Sequence, residues 1–389
     1  MHSATGSSQR PSLELADIVR AHGEAFRRGF ALTPDQDAVL RDIVRCRTAV
    51  LGGHLDVCDH CGHTEPSYNS CRNRHCPKCQ GLAQAKWIAD REARILPVQH
   101  FHTVFTLPAE LHALVRYRRE ILFDLLFSCA SRTLLELGKN EKRLGADIGL
   151  TAVLHTWTRE LLFHPHVHCI VTGGGLSLDG QHWINSRPNY LFPIAVMGAL
   201  YRGKFLDGLR KAHARGDFAG FADFVDPEGF DRLMQKLARK DWVVYAKRAF
   251  GGAEQVYRYL GRYTHRVGIA NSRLVSMTND AVTFRTKNGK AITIPGVEFL
   301  RRFTLHVLPR GYIKMRHYGL FAPTNVNTKL EQARSLLTPR AEMPAPDAPP
   351  TAEEILAALT DSENLCPVCA VGIMRPQPLP TEVPVLDSS

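Results

Sequence analysis

No apolar run in this 389-residue chain approaches the ~20 residues that a membrane-spanning helix needs, which argues against a membrane span. The opening Met-His-Ser-Ala-Thr-Gly-Ser-Ser lacks the basic start and apolar core of a secretory signal, so a cytoplasmic location is expected. Acidic residues are in short supply: 38 Asp and Glu stand against 49 Lys and Arg, a net charge of +11. That balance favours a polyanionic partner, of which nucleic acid is the commonest. The ten cysteines do not resemble the framework of a disulfide-stapled secreted protein. Most fall in short Cys-x-x-Cys pairs, which in a reducing compartment point to metal. The rest is an ordinary globular composition, 44% hydrophobic and 22% charged, with length for two or three units.

The stretch richest in chemistry is 155–168, HTWTRELLFHPHVH. With the apolar, β-branched residues that follow, 164–172 reads as a buried strand. Side chains alternate across a strand, so His164, His166 and His168 share one face. Imidazoles at i and i+2 lie roughly 7 Å apart at Cα, close enough for one ion, whereas His164 and His168 are about 13 Å apart. A third ligand is therefore expected from a neighbouring strand. Residues 151–157 supply it if they fold back antiparallel, with the turn centred between Glu160 and Leu161 and His155 opposite His166. That turn lacks Gly and Asn. His155, His166 and His168 are read as a three-imidazole metal site with open coordination positions. Core or surface histidines satisfied by hydrogen bonds are the plain alternative. His102, on the strand-like run HFHTVFTL, could also face the ion, but a hydrogen-bonded strand histidine is the plainer reading.

Cys58-Asp-His-Cys61 and Cys76-Pro-Lys-Cys79 are knuckles separated by fourteen residues, the spacing of a zinc ribbon or treble clef. Cys58, Cys61, Cys76 and Cys79 are read as one closed structural zinc site. Cys71 and His75 could support it, or could belong to a second ion with His54, His60 or His63. Arg72, Arg74, Lys78 and Lys86 lie among and beside the knuckles, where they suit phosphate contacts and groove reading. A zinc site that only staples a small domain is the alternative. Cys366-Pro-Val-Cys369 is half a zinc site with no assigned partner.

The expected class is α+β. Residues 1–12 should be disordered, 13–96 form a zinc-binding DNA-recognition domain, 97–323 a catalytic domain, 324–350 a linker and 351–389 a tail. Thr33-Pro-Asp-Gln should start a helix. Further helices are expected over 80–96, 109–138, 191–214 and 228–239, with a turn at Gly173-Gly-Gly175, a strand at 242–247 and short strands within 272–320. The run 303–319, basic and aromatic, suits stacking on nucleic acid as well as it suits an ordinary strand pair. After Gly251-Gly, residues to 266 read as a helix of about three turns. Tyr259 and Tyr263, spaced i,i+4, would project from one face, with Arg262 and Arg266 on an adjacent face where they could hold phosphates. Tyr257 points away and should pack.

A metal on neutral imidazoles can polarise a phosphoryl oxygen, and a nearby tyrosine oxygen can then attack phosphorus. His166-Val-His168 is similar to the HUH signature of single-strand endonucleases. The knuckles, the run FHPHVHCIVTGGG and the run YLGRYTHR together resemble the rolling-circle transposases of the insertion sequence 91 family. The resemblance runs from about residue 13 to 322 in the same order. It implies that Tyr259 and Tyr263 are the nucleophile pair and that residues 40–90 are a zinc-binding DNA-recognition module. It also implies an antiparallel-sheet HUH domain flanked by helices, with Mg²⁺ or Mn²⁺ as the catalytic ion. The partners it implies are single-stranded DNA at insertion-sequence ends and target DNA. The three imidazoles alone suit zinc equally well. Two other functions stay open: a three-histidine zinc hydrolase, which leaves the tyrosine pair unused, and a non-catalytic zinc-ribbon DNA-binding regulator, which leaves the histidines unused.

Overall fold

The structure is a computed structural model that describes residues 13–79, 81–92, 94–224, 226–248, 268–286, 289–337 and 365–379. Within them the chain divides into two compact units. One draws on the ranges Met1–Lys86, His265–Arg301 and Pro350–Ser389, the other on Trp87–Thr264 and Arg302–Pro349. The contiguous boundaries expected from the sequence at 96, 323 and 350 are therefore cut across. Residues 268–301 and 365–379 group with the amino-terminal module.

In the first unit, α1 (Leu15–Gly29) buries Leu15, Ile18, Val19, His22 and Phe26, the i, i+3, i+4 stripe of an amphipathic helix. Helix α2 (Pro34–Arg45) starts as its sequence predicts. The Thr33 hydroxyl accepts from the Gln36 amide, the Gln36 side chain returns to the Thr33 amide at 2.9 Å, and Pro34 sits in the first turn. Strands β1 (Gly53–Cys58) and β2 (Thr64–Tyr68) form an antiparallel hairpin. A later segment, β12 (Met374–Pro378), pairs with the opposite edge of β1. A second antiparallel sheet is the meander β8 (Leu274–Met277), β9 (Ala281–Arg285) and β10 (Ala291–Pro295). A helix, Gly296–Thr304, follows it, and Phe284 meets Phe299 with ring centroids 5.5 Å apart. Gly296 has to be glycine, because a Cβ there would collide with the His22 imidazole.

The second unit is built on an antiparallel sheet of β3 (His100–Thr106), β4 (Ala146–Trp157), β5 (Phe163–Ser177), β6 (Trp183–Asn185), β7 (Val244–Arg248) and β11 (Met315–Gly319). Its order is β11-β4-β5-β3-β7, with β6 added beside β5. Period-two alternation gives the sheet two unlike faces. Phe101, Phe105, Leu150, Ala152, Leu154, Val167, Cys169 and Val171 enter the main core. There they join apolar residues of α5 (Arg119–Lys139), α6 (Ile194–Ala214) and α7 (Gly229–Arg239). The opposite face carries the histidines and a small apolar cluster in which Val153 and Ile170 pack with Trp87, Ile95 and Met315.

Helix α3 (Gly81–Glu92) lies within the helix expected over 80–96. Two local expectations differ. The long helix over 109–138 is interrupted at Arg118 (φ −129°, ψ 65°), which separates α4 (His112–Tyr117) from α5 and donates its Nε to the Asp217 carbonyl at 2.7 Å. Gly173–Gly175 do not turn. They continue β5, with Gly174 paired to Asn185 and Gly175 to both Ile148 and Ile184. They are glycine because backbone crowds them: a Cβ at Gly175 would lie 2.5 Å from the Asp147 carbonyl oxygen, and one at Gly174 2.6 Å from that of Ile184. The run 303–319 contains the end of a helix, then β11, which pairs with β4.

Candidate metal centres

The β4–β5 hairpin sets His155 directly opposite His166, the register its histidine spacing requires. The turn closes without Gly or Asn through Thr158, whose amide donates to the Leu162 carbonyl at 3.0 Å while its hydroxyl accepts from the Glu160 and Leu162 amides. Leu161 takes the left-handed conformation the turn needs (φ 59°). A register shift between His155 and Trp157 absorbs the extra residue.

On this face one nitrogen from each of His155, His166 and His168 comes within 4.8 Å of the others. The His166 Nδ1 lies 2.6 Å from the His164 carbonyl, which can only accept, so Nδ1 carries the proton and Nε2 keeps its lone pair. That Nε2 is 3.0 Å from His168 Nε2. Two ligand nitrogens about 2.1 Å from one ion and at right angles to each other would be about 3.0 Å apart, so the pair fits a shared ion. His155 stacks on Trp157 at 4.8 Å, which fixes its ring. His164 stays outside the triad, its ring 5.3 Å from that of His166. His102 is the hydrogen-bonded strand histidine of the plainer reading: its Nε2 is 2.7 Å from His168 Nδ1.

Burial holds these rings neutral, the state in which imidazole binds metal. It pushes His166 down to about 4, against the opposing pull of the His164 carbonyl. His155 and His168 fall well below the ordinary range, first through burial and then through neighbouring imidazoles, with Lys314 adding to the effect on His155. Burial also lowers His102. Lys314 and Tyr245, which no sequence motif marks, also lie near these histidines. Tyr245 lies opposite Val104 on β7, the edge strand, and its ring meets that of His102 edge-on at 6.4 Å. Strand alternation from His102 was the signal that could have found Tyr245.

The cysteines form two groups of four, and the single site expected from Cys58, Cys61, Cys76 and Cys79 is not what the fold builds. Cys76 and Cys79 join Cys71 and Cys46, which ends α2, while Cys58 and Cys61 join Cys366 and Cys369. In the first group Cys46 and Cys79 sulfurs are 3.3 Å apart, and Cys71 and Cys79 3.5 Å. Ligands of a tetrahedral zinc at about 2.3 Å are about 3.8 Å apart, whereas a disulfide is about 2.05 Å long, so the spacing fits zinc. Bonds from Cys71 and Cys76 hold Cys79 toward the thiolate, while Cys71 and Cys79 push Cys76 up. His75 enters neither group; its Nδ1 engages Asn73 Oδ1 at 3.0 Å. No histidine joins a cysteine group among the described residues, so a second ion shared with His54, His60 or His63 is not what the fold builds either.

Arg72 is exposed beside the first group with φ 53°, and Arg74 is half-buried. Lys78 is bound to Glu14 at 2.7 Å. Tyr257, Tyr259, Arg262, Tyr263 and Arg266 lie outside the described residues. Among the described residues no helix is long and apolar enough to cross a membrane.

Residues 18–107 match a family model described as a transposase zinc-binding domain, and residues 149–329 match one described as "Putative transposase". The chain is 44% identical over 379 residues to "Putative transposase y4qJ" of Sinorhizobium fredii, covering 94% of this chain and 95% of that one. It is 28% identical over 316 residues to the transposase for insertion sequence element IS801 of Pseudomonas savastanoi pv. phaseolicola, covering 74% and 72%. No solved structure matches. The zinc-binding domain contains the first cysteine group, the transposase domain contains the histidine triad, and the chain belongs to the insertion sequence 91 family of transposases, enzymes that process DNA.

Proposed function

We propose that the protein nicks and joins single-stranded DNA at the ends of an insertion sequence through 5′-phosphotyrosine intermediates, driving rolling-circle-type transposition. The observation that carries this reading is the cross-strand pairing of His155 with His166, which gathers three neutral imidazoles on the sheet face opposite the helical core. His155, His166 and His168 would hold a divalent ion, Mg²⁺ or Mn²⁺, which when bound draws charge from a phosphoryl oxygen.

Tyr259 and Tyr263 are the nucleophiles of this proposal. A tyrosine hydroxyl loses its proton as its oxygen bonds to phosphorus, the bond from phosphorus to the 3′ oxygen breaks, and that oxygen takes up a proton and leaves as a 3′-hydroxyl. The phosphodiester energy stays in the tyrosine–phosphate link, so rejoining needs no ATP. Two tyrosines allow two successive transfers without release of an end. Arg262 and Arg266 would neutralise charge on the phosphates, and Arg72, Arg74 and Lys78 would serve DNA binding from the zinc-binding domain. Lys78 can do so only by leaving Glu14.

The test is incubation with a single-stranded oligonucleotide spanning an end of the cognate element, plus Mg²⁺ or Mn²⁺. A protein–DNA adduct should survive denaturation, disappear with chelator and map to Tyr259 or Tyr263. A 3′-hydroxyl and a free 5′-phosphate with no adduct would make the triad a hydrolytic centre and overturn the proposal.

A further inference from the structure

The second cysteine group lies partly beyond both matched family ranges, because Cys366 and Cys369 follow residue 329 by some way. From this group we infer a second structural zinc site, separate from the first, that clasps residues 365–379 onto the β1–β2 hairpin.

Its sulfurs are spaced for one tetrahedral ion. Cys58 lies 3.7 Å from Cys369, and Cys61 lies 3.6 Å from Cys366, near the ~3.8 Å edge of a zinc tetrathiolate. Both pairs sit in knuckles of like design. Gly62 donates to the Cys58 carbonyl and Cys58 to that of His63; Ala370 donates to the Cys366 carbonyl and Cys366 to that of Gly372. Backbone amides point at the sulfurs, from His60 and Cys61 onto Cys58 at 3.4 Å and from Gly372 onto Cys369 at 3.3 Å. Such amides stabilise a thiolate, the form that binds metal. Ala370 (φ 53°) and Gly62 (φ 73°) adopt the left-handed turn that each knuckle requires.

The knuckles are also fitted to each other. A Cβ at Gly372 would collide with the Cys58 sulfur and the His60 Cβ, so glycine is what lets them close around a shared centre. Asp59 completes the seam: it accepts from the Ile373 amide at 2.8 Å and pairs with Arg375 at 3.1 Å. Beyond the backbone pairing of β12 with β1, the segment has little apolar burial to hold it. Four of the five residues of β12 are exposed, and Cys366, 1% exposed, is its anchor in the interior. A strand with so little apolar burial needs a further source of binding energy, and a tetrathiolate ion supplies one.

The experiment is alkylation of the full-length protein, purified without chelator, with iodoacetamide, followed by peptide mapping and zinc analysis. Cys366 and Cys369 should resist labelling until a zinc chelator is added. The variant Cys366→Ser/Cys369→Ser should carry one zinc ion fewer per chain, and its segment 365–379 should be cut readily by protease. Immediate labelling of both thiols without chelator would overturn the inference. Labelling released by reductant but not by chelator, which marks a disulfide, would do the same, as would unchanged zinc content in the double variant.

Discussion

The Nε2 of His102 lies 2.7 Å from the Nδ1 of His168, across the β3–β5 pairing. A hydrogen bond to Nδ1 leaves His168 Nε2 as the metal-facing nitrogen, the one that also faces His166. His102 thus orients a proposed ligand rather than supplying one. His102→Ala should weaken divalent-ion binding at the triad by ~10–100-fold, the usual cost of losing such an orienting partner. His102→Gln should restore part of the loss. Calorimetric titration with Mn²⁺ reads the effect, and unchanged affinity in His102→Ala would remove His102 from this role.

Substitution of the triad separates chemistry from binding. His166→Ala or His168→Ala should abolish ion-dependent cleavage while DNA affinity changes little, because phosphate contacts made elsewhere dominate that affinity. His155→Ala should behave alike. Gel shifts and cleavage assays on the same oligonucleotide compare the two, and parallel loss of both would indicate a structural role.

The tyrosines should divide the labour. Tyr259→Phe/Tyr263→Phe should eliminate the covalent adduct while leaving the melting temperature and DNA binding unaltered. One single variant should block first cleavage, and the other should form an adduct but fail the second transfer. An adduct mapped to Tyr257 would overturn the assignment.

Partition of the cysteines makes a quantitative prediction. Cys46→Ser and Cys76→Ser remove ligands of one group, so their destabilisations should fall well short of additive. Cys58→Ser and Cys76→Ser belong to different groups and should add within about 0.5 kcal/mol. Denaturant titrations of the singles and doubles decide it; the reverse pattern would restore a single shared site.

His306 predicts how stability depends on pH. It is wholly buried, with Nδ1 3.2 Å from the Thr156 hydroxyl and Nε2 donating to the Leu161 carbonyl at 3.0 Å. Burial pushes its pKa from 6.5 to about 4. Below 6.5 the unfolded chain therefore binds a proton that the folded chain refuses. The stabilising contribution is complete above 6.5 and declines as pH falls toward 4, by on the order of 3 kcal/mol. His100, also pushed down to about 4 by burial, acts in the same window. His306→Gln should lose less stability than the parent between pH 7 and pH 4.5 in urea titrations, and identical slopes would exclude the residue as a source.

Local patterns were legible where neighbouring residues decide the structure. The Thr33 cap depends on Gln36, three residues on, and the His155–His166 pairing depends on a short hairpin. What escaped were arrangements set by distant chain. Cys46 is a single cysteine with no Cys-x-x-Cys partner, and only the end of α2 brings it to Cys79, 33 residues later. Spacing joined Cys58 to Cys76, whereas the fold joins Cys58 to Cys369 across 311 residues. The glycines at 173–175 read as a turn because the reason for them, carbonyls of adjacent strands, lies outside their own segment.

The pairing of β12 with β1 also bears on the order in which the protein is made. Synthesis delivers the hairpin early, and one edge of β1 then stands bare through the translation of more than 300 residues. Its partner strand and the last two thiols of the group emerge together. A message cut short after the histidine strands would yield a chain carrying the triad but exposing an unpaired strand edge, the kind of surface that drives aggregation. Completion of this sheet thus waits on residues 374–378, which follow the triad by about 200 positions.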